Sequence, residues 1–475
     1  MHNSKLIRFL QSLEREEFRA FGQFLRSPYF NSSEQLLALY DLLHDHYPGL
    51  FSPKLAKEKA FAQLFPGKPY DDSRMRQLMY KMTRLLEDFL VAQEIRHAKV
   101  HRNQLLTEAL GRRKLHLDFQ RSVQQEIKQL ESKKCKDLRS IGRLLHYNHQ
   151  YFFHPDTSKF KKGVQSIRDC MTHLDHYFSL AKLQYASELM TRSATLGEQH
   201  QMWLLEEVLA QTEKPSNVLL ELYDGLIRLY QNREDESLFH QLRARFVDLI
   251  DQLPQQERIE LYQQLSNYAV AQINKGDRRY LHDFLELTKV ALTYDILLDK
   301  NRITDATFTN VAAIAAALKV FDWTAEFIAN YEKKLAPNVR ESATQLAWAY
   351  LYYHKGAFEK VLDCLVEVSF LPSYVFRVKS LRLRTYFELF RQQPSYHEVL
   401  LSDLHAFETY IRRGSGMNAQ RQTTYLNFIL YTKKLIKLLT NPKRTSSDKE
   451  ALRESIRQKE PMVVKHWLLE KIKEL

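Results

Sequence analysis

Histidine and cysteine side chains recur in one short stretch of the chain, and both residue types bind zinc. The members of this group are His146, His149, His154, Cys170, His173 and His176. Residues three apart share one face of a helix, so His146 with His149, and Cys170 with His173, can each offer two ligands to one ion. Their order contains no established metal signature such as HExxH, and surface or half-buried imidazoles are the favoured interpretation. A metal-dependent enzyme is therefore only the third functional hypothesis, and no metal ligand is assigned.

Glycine is scarce, with 12 residues among 475, and this limits the loops that can carry catalytic groups. The sequence has no GxxxxGK[ST] phosphate loop, no GxGxxG fingerprint and no GxSxG elbow. Nucleotide hydrolysis, dinucleotide binding and serine-esterase chemistry therefore have no support. Paired carboxylates lie on a helix face or at a helix start, where solvation and capping explain them. We predict a protein that is not an enzyme and that carries no cofactor.

Basic side chains give the chain a formal net charge of +13 and are concentrated in two places. Residues 91–140 carry 12 Lys and Arg against 6 Asp and Glu. The candidate contacts in and around that stretch are Arg112, Arg113, Lys114, Lys133, Lys134 and Lys136. The second group consists of Arg74, Arg76, Lys81 and Arg84. A positive field favours nucleic acid, anionic lipid or an acidic protein surface as partner, while a solvated helix face is the other interpretation of the excess in residues 91–140.

Apolar side chains at helical spacing extend over nearly the whole chain and predict an all-α fold. One helix is expected over Ser4–Leu25. A long basic helix is expected from about Asp71 to well past Gln93, with an apolar stripe formed by Met75, Leu78, Met79, Met82, Leu85, Leu86 and Phe89. From about residue 146 onward, helix pairs recur about every 35 to 45 residues, which is the periodicity of an α-α superhelix built from antiparallel helix pairs.

This periodicity divides the chain into three predicted parts. Residues 1–145 are expected to form an N-terminal helical domain that includes the long basic helix. Residues 146–440 are expected to form the helical repeat array, and residues 441–475 to form helices that cap its last repeat, since a terminal repeat needs a polar outer face.

The segment Gln345–Pro372 resembles the tetratricopeptide repeat. Trp348 and Ala349 occupy the family's large and small positions, Tyr352 matches a later aromatic, and Gly356 with Phe358 matches the turn between the two helices. A second segment, Leu265–Thr288, keeps the small residue and the turn as Ala269 and Gly276. The resemblance implies a TPR-like solenoid with a concave surface that binds peptides or other proteins.

A second resemblance concerns residues 57–89. They are similar to the helix-turn-helix of winged-helix domains that precede helical repeats in some bacterial activators, with Arg74, Arg76, Lys81 and Arg84 on the candidate recognition helix. In such domains Arg and Lys neutralise phosphates or bind guanine edges. No alternating strand pair follows that would form the wing, and a structural helix pair is the other interpretation of the segment.

We therefore predict a scaffold that binds a protein partner through the groove of its repeats. The alternative is a nucleic-acid-associated protein, either a transcription regulator using residues 57–89 or an RNA- or ribosome-bound factor using the basic stretch 96–162. A cytoplasmic location is expected because acidic side chains stand where a signal peptide needs an apolar core, and because no apolar run is long enough to span a membrane. No oligomeric state is predicted.

Overall fold

The computed structural model describes residues 1, 4–154, 164–196, 198–211, 217–232, 234–274, 277–368, 374–413, 419–443 and 445–475. These residues form 23 α-helices and no β-strand, which confirms the predicted all-α fold. Few Gly and Pro residues interrupt the helical periodicity, so most backbone amides of the described residues are satisfied within helices. None of the described helices is both long enough and apolar enough to cross a membrane.

The chain forms two compact units, described separately below. The first comprises Met1–Gln129 and Tyr147–Ser166, and the second comprises Leu130–His146 and Ile167–Leu475. The helices up to residue 153 are α1 Lys5–Gln11, α2 Arg15–Arg26, α3 Glu34–His44, α4 Lys57–Leu64, α5 Asp72–His97, α6 Lys99–Arg112, α7 His116–Glu131 and α8 Leu138–Phe153. The predicted division at residues 145 and 440 stays a prediction.

The remaining helices belong to the second unit, except for the first two residues of α9, which belong to the first. Helix α9 belongs to the second unit from Ile167 on. In chain order these helices are α9 Gln165–Leu196, α10 Leu205–Gln211, α11 Val218–Gln231, α12 Glu236–Leu249, α13 Gln255–Asn274, α14 Arg279–Thr293, α15 Asp305–Ala317, α16 Phe321–Tyr331, α17 Pro337–Lys355, α18 Phe358–Val366, α19 Val375–Gln392, α20 His397–Arg412, α21 Ala419–Thr440, α22 Ser446–Gln458 and α23 Lys465–Glu474.

The segment Ser4–Leu25 contains two helices, so the prediction of one helix over this segment is wrong. Helix α1 ends at Gln11 and α2 begins at Arg15. A capping box closes the break: the backbone N–H of Glu14 donates to Oε2 of Glu17 at 2.7 Å, and the Glu14 side chain accepts from a backbone N–H of the first turn. Because these groups satisfy the free amides, the chain turns here without leaving buried polar groups unpaired.

Aromatic rings fill the core of the first unit. Phe18 stacks on Tyr40 with ring centroids 5.2 Å apart, and Phe21 packs against Phe89 of α5 at 5.4 Å. A Cβ atom at Gly22 would lie 2.4 Å from the hydroxyl oxygen of Tyr40, so only glycine allows α2 and α3 to approach this closely. The predicted stripe of α5 is buried at Met75, Leu78, Met79, Met82, Leu86 and Phe89, with Leu85 partly buried.

The segment predicted to form one long basic helix forms three helices, α5, α6 and α7. Helix α5 ends at His97, because Ala98 leaves the helical conformation with φ −90° and ψ 80°. Helix α6 ends at Arg112, and Lys114 has φ 59°, in the left-handed region that terminates helices. Neither break has a Pro, so the helical periodicity continued across both and gave no sign of them.

Helices of the second unit pack against their neighbours in the chain and also against the helix after next. Helix α15 contacts α17, and α17 contacts α19. Small residues allow this close approach, and they are fully buried at Ala312, Ala315, Ala316, Ala343, Ala347 and Ala349. Gly356 ends α17 with φ 78°, a conformation that glycine adopts at little energetic cost.

The last helix is anchored by apolar and ionic contacts together. The indole of Trp467 packs edge-on against Phe387 of α19 and Phe428 of α21, with ring centroids 5.2 and 6.0 Å apart. Lys471 Nζ lies 2.7 Å from Oε1 of Glu388, and both side chains are largely buried. Burial of two opposite charges in contact avoids the cost of leaving either one unpaired.

Candidate functional site

An open concavity of about 920 Å³ in the second unit is the candidate functional site, and we call it the acidic groove. Its walls come from the start of α8 and from α9, α11 and α13. The polar side chains that define it are Asp137, Arg139, Gln184, Glu188, Tyr223, Glu257, Glu260 and Gln264. Its volume lies in the range of clefts that bind a ligand, and it is large enough for several side chains of a partner.

Helix periodicity places three of these groups on one face of α13. On α13, Glu257, Glu260 and Gln264 follow one another at spacings of three and four, so they share one face. On the buried side of the same helix lie Leu261 and Leu265. The polar face of α13 therefore faces the groove because its apolar face packs into the core.

A hydrogen-bond network centred on Glu257 connects three helices. The carboxylate of Glu257 accepts from the Tyr223 hydroxyl at 2.8 Å and from Nε2 of Gln184 at 2.9 and 3.0 Å. The Tyr223 hydroxyl also lies 3.2 Å from Oε2 of Glu260. Nε2 of Gln264 donates to Glu188 at 3.3 Å, and the Thr191 hydroxyl donates to Oε1 of Gln264. The floor of the groove thus carries two hydrogen-bonded sets of polar groups, one around Glu257 and one around Gln264.

The electrostatic character of the groove is opposite to that of the whole chain. Four carboxylates and one guanidinium, that of Arg139, line it, although the chain carries a formal charge of +13. Glu257 is only 6% exposed, and this burial raises the pKa of its carboxyl group, while the hydrogen bond from Tyr223 opposes the shift. The charge available to a partner therefore lies mainly on Asp137, Glu188 and Glu260.

An exposed apolar stripe on α9 leads into the groove. Met171, Leu174, Phe178 and Tyr185 are all exposed, and their spacings of three, four and seven residues place them on one face of the helix. Tyr185 is 68% exposed and also lines the acidic groove. Contiguous exposed apolar side chains beside polar groups are typical of surfaces that bind other macromolecules.

The basic residues predicted on α5 lie on its exposed side, except that Arg74 stacks on Phe65 at 4.2 Å. Arg76 pairs with Asp72 and Arg84 pairs with Glu87, each at 2.9 Å. Lys81 has no ion-pair partner within the described chain. Tyr80, which is 67% exposed, lies between these cations. We call Arg76, Tyr80, Lys81 and Arg84 the basic face of α5.

The other predicted basic residues are divided between the two units, with Arg112, Arg113 and Lys114 in the first and Lys133, Lys134 and Lys136 in the second. Arg112 and Lys114 line an open cavity of about 530 Å³ in the first unit together with Phe119 and His149, and Arg113 caps α6. Lys133 donates from Nζ to the Ser140 hydroxyl at 3.1 Å. Lys136 donates to the Lys133 carbonyl at 3.2 Å, and Lys134 is exposed. Residues 155–163 of the predicted basic stretch lie outside the described residues.

The residues that carry the repeat resemblance are mostly structural. Ala269 and Ala349 are fully buried. Trp348 stacks on Tyr352 with ring centroids 5.8 Å apart, and Phe358 packs edge-on against Tyr353. Gly356 forms the turn described above, whereas Gly276 lies outside the described residues.

The histidine and cysteine group is not brought together as a metal site in the part of the chain that the structure describes, where no three His, Cys, Asp or Glu side chains are placed to hold one ion. His149 packs on Phe153 and His154 on Phe119, each at 4.6 Å. Burial lowers the pKa of His173 and of His176. The thiol of Cys135 is protonated, since burial and the nearby Glu257 raise its pKa to about 12.

Sequence reasoning missed the groove residues altogether. Glu257, Glu260 and Gln264 had the periodicity of a solvated helix face, which is the ordinary interpretation of such a pattern. The one available signal was the excess of Gln and Glu on α13. Five of these residues, between Gln256 and Gln264, line the groove in the structure. Their partners Gln184 and Tyr223 are 73 and 34 residues away from Glu257.

The fold and this surface define an all-α protein built from stacked helices with a polar groove. The chain has no significant match among protein-family models, curated protein sequences or solved structures.

Proposed function

We propose that the chain is a non-enzymatic, TPR-like scaffold whose acidic groove binds a protein segment that carries Lys or Arg among apolar residues. The observation that carries the proposal is the continuity of the groove with the apolar stripe of α9 through Tyr185. Glu188 and Glu260 would pair with basic side chains, and the stripe would bury apolar ones. Such a division of roles is common at interfaces, where apolar anchors supply affinity and charges supply orientation and on-rate.

The stacking of α15, α17 and α19 supports the architectural part of this proposal, since each contacts the helix after next. In a helical repeat array the first helices of successive pairs make this kind of contact. The Gly356 turn and the buried Ala349 occupy the positions that the repeat resemblance implies.

Site-specific photocrosslinking in the native cell tests the proposal. A photoreactive phenylalanine analogue at position 185 is expected to form protease-sensitive, nuclease-resistant adducts. The same analogue at Tyr29, which is exposed in the first unit, serves as the matched control and is expected to give none. Equal adducts at the two positions would contradict a partner at the groove.

Charge reversal measures the contribution of the carboxylates. Glu188→Lys combined with Glu260→Lys is expected to reduce the yield of the position-185 adduct at least tenfold, which corresponds to about 1.4 kcal/mol of binding free energy. The physical reason is that like charges would then oppose the basic segment. Glu398→Lys on α20, where the side chain is exposed, is the control and is expected to leave the yield unchanged. If the control also loses the adduct, the change in net charge of the chain, and not the loss of the two groove carboxylates, causes the effect.

Nucleic-acid binding by the basic face of α5 is the second candidate function, and the exposed Tyr80 among three cations favours it. A base can stack on the Tyr80 ring while Lys81 contacts a phosphate. Lys81→Ala is expected to reduce the slope of log affinity against log salt by about 1 for single-stranded oligonucleotides, and Tyr80→Ala to weaken binding. Tyr29→Ala is the matched control. Absence of binding at low salt would eliminate this candidate.

A further inference from the structure

A small cavity in the second unit collects positive charge, and one of its two guanidinium groups, that of Arg384, has no carboxylate partner within the described chain. It has a volume of about 200 Å³ and is lined by Arg278, His354, Arg384 and His466, with apolar walls that include Ile314 and Tyr350. We call it the Arg384 cavity. It is distinct from the acidic groove, whose lining residues it does not share.

Arg384 is the central group, because its charge is both permanent and buried. The residue is 7% exposed. Its Nε lies 3.4 Å from the Ser380 carbonyl oxygen and its guanidinium carbon lies 5.1 Å from the centre of the Tyr353 ring. No Asp or Glu of the described chain lies within ion-pair distance of it. A guanidinium group in a protein carries a positive charge and five N–H donors.

The nearest carboxylate on the same helix is engaged elsewhere. Glu388 lies one turn beyond Arg384, but its Oε1 is 2.7 Å from Nζ of Lys471 and its Oε2 is 3.2 Å from Arg391. Arg278, at the other side of the cavity, pairs with Glu470 at 3.2 Å. An uncompensated buried charge is unfavourable, and such groups in proteins are normally paired or coordinated.

Two imidazoles offer further donors toward the same space. His354 on α17 and His466 on α23 have no hydrogen-bond partner within the described chain. Burial, reinforced by the charges of Arg384 and Arg278, lowers the pKa of His354 to about 3 and that of His466 to about 4. Each ring is therefore neutral at pH 7 and retains one N–H, which can donate to an anion.

We propose that the Arg384 cavity binds a small organic carboxylate, whose anionic group is held by Arg384, His354 and His466 and whose short apolar body contacts the aliphatic walls. A guanidinium provides parallel donors that match the two oxygens of a carboxylate. The apolar walls favour a ligand with a hydrocarbon part over a fully hydrated inorganic anion. The cavity volume restricts the ligand to a few carbon atoms beside the carboxylate.

The test compares three probes on the full chain. Isobutyrate is expected to raise the thermal unfolding midpoint in a concentration-dependent way and to shift the imidazole NMR resonances of His354 and His466. Isobutyramide, which has the same shape without the charge, and inorganic phosphate are expected to do neither. If isobutyramide acts like isobutyrate, or if phosphate produces the same shifts, the assignment to a carboxylate is overturned.

An apolar replacement of the central group tests its role. Arg384→Met is expected to weaken isobutyrate binding at least tenfold without lowering the stability of the free protein, because the change removes an unpaired charge. Arg412→Met, at an exposed residue of α20, is the matched control and is expected to bind as the wild type does. Wild-type affinity in Arg384→Met would overturn the proposal. Should that variant not fold, absence of isobutyrate-induced shifts at both histidines of the wild type would overturn it equally.

Discussion

Trp467→Ala is expected to lower the free energy of unfolding of the second unit by about 3–5 kcal/mol, the range for removal of a large aromatic side chain from a packed core. The indole is 3% exposed and contacts Phe387 and Phe428 on two different helices. Its removal would leave a cavity at the place where α23 is held against α19 and α21. Because Lys471 of α23 also pairs with the buried Glu388, loosening of this helix would expose an ion pair as well.

Urea unfolding followed by tryptophan fluorescence measures this effect selectively. All four tryptophans, Trp203, Trp323, Trp348 and Trp467, lie in the second unit, so their emission reports on that unit even if the two units unfold separately. Trp203→Ala is the matched control, since that side chain is 71% exposed and its removal is expected to change stability by less than about 0.5 kcal/mol. Equal effects of the two substitutions would contradict the packing described for α23.

Acidification from pH 7 to about pH 4.5 is expected to destabilise the second unit through His354 and His466, by on the order of 2 kcal/mol for each imidazole. Their folded-state pKa values, about 3 and about 4, lie below the ordinary value of 6.5. Protons therefore bind more readily to the unfolded chain. The contribution of these groups to stability is complete above pH 6.5 and is lost as the pH falls toward the folded pKa values.

The charges that face these imidazoles explain the direction of the shift. Burial is the main cause for both, and Arg384 and Arg278 add repulsion to a protonated ring. His466 and Lys319 act on His354 in the same sense. Since Arg384, Arg278 and Lys319 are positive, protonation of either histidine adds charge to a region that already has an excess.

Two variants separate this effect from general acid unfolding. His354→Gln combined with His466→Gln is expected to flatten the pH dependence of the urea midpoint between pH 7 and 4.5, whereas His405→Gln, at an exposed residue of α20, is expected to keep the wild-type slope. A double variant with the same slope as the wild type would show that other groups, such as the carboxylates of surface ion pairs, cause the acid sensitivity.

Much of the helical framework was predictable because helix formation depends on neighbours three and four residues apart. Met75, Met82 and Phe89 are buried on α5 as their spacing predicts. The failures have local causes that periodicity does not detect. The capping box of Glu14 and Glu17 starts a new helix at Arg15, and the left-handed Lys114 follows the end of α6, each within a stretch whose apolar pattern is uninterrupted.

The basic residues illustrate a different limit. Sequence alone marked Arg74, Arg76 and Arg84 as contacts for an acidic partner, yet in the fold Arg74 stacks on Phe65 and the other two form ion pairs with Asp72 and Glu87. The charge composition of a sequence does not show which carboxylates lie close enough to a basic side chain to form an ion pair with it. Basic side chains that are paired in the fold are therefore predicted to be available to a partner. Neither Arg74 nor Lys81 has a carboxylate partner within the described chain, and only Lys81 is free of a ring contact as well.

The amino-acid sequence by itself determined the all-α class and which face of α5 enters the core, since both follow from side-chain spacing along one helix. Only the tertiary structure decided that Gln184, Tyr223 and Glu257 meet in the acidic groove, and that Arg384 shares a cavity with His354 and His466. These groups come from different helices, and whether they meet depends on the packing of the helices between them. Spacing along the chain contains no information about that packing.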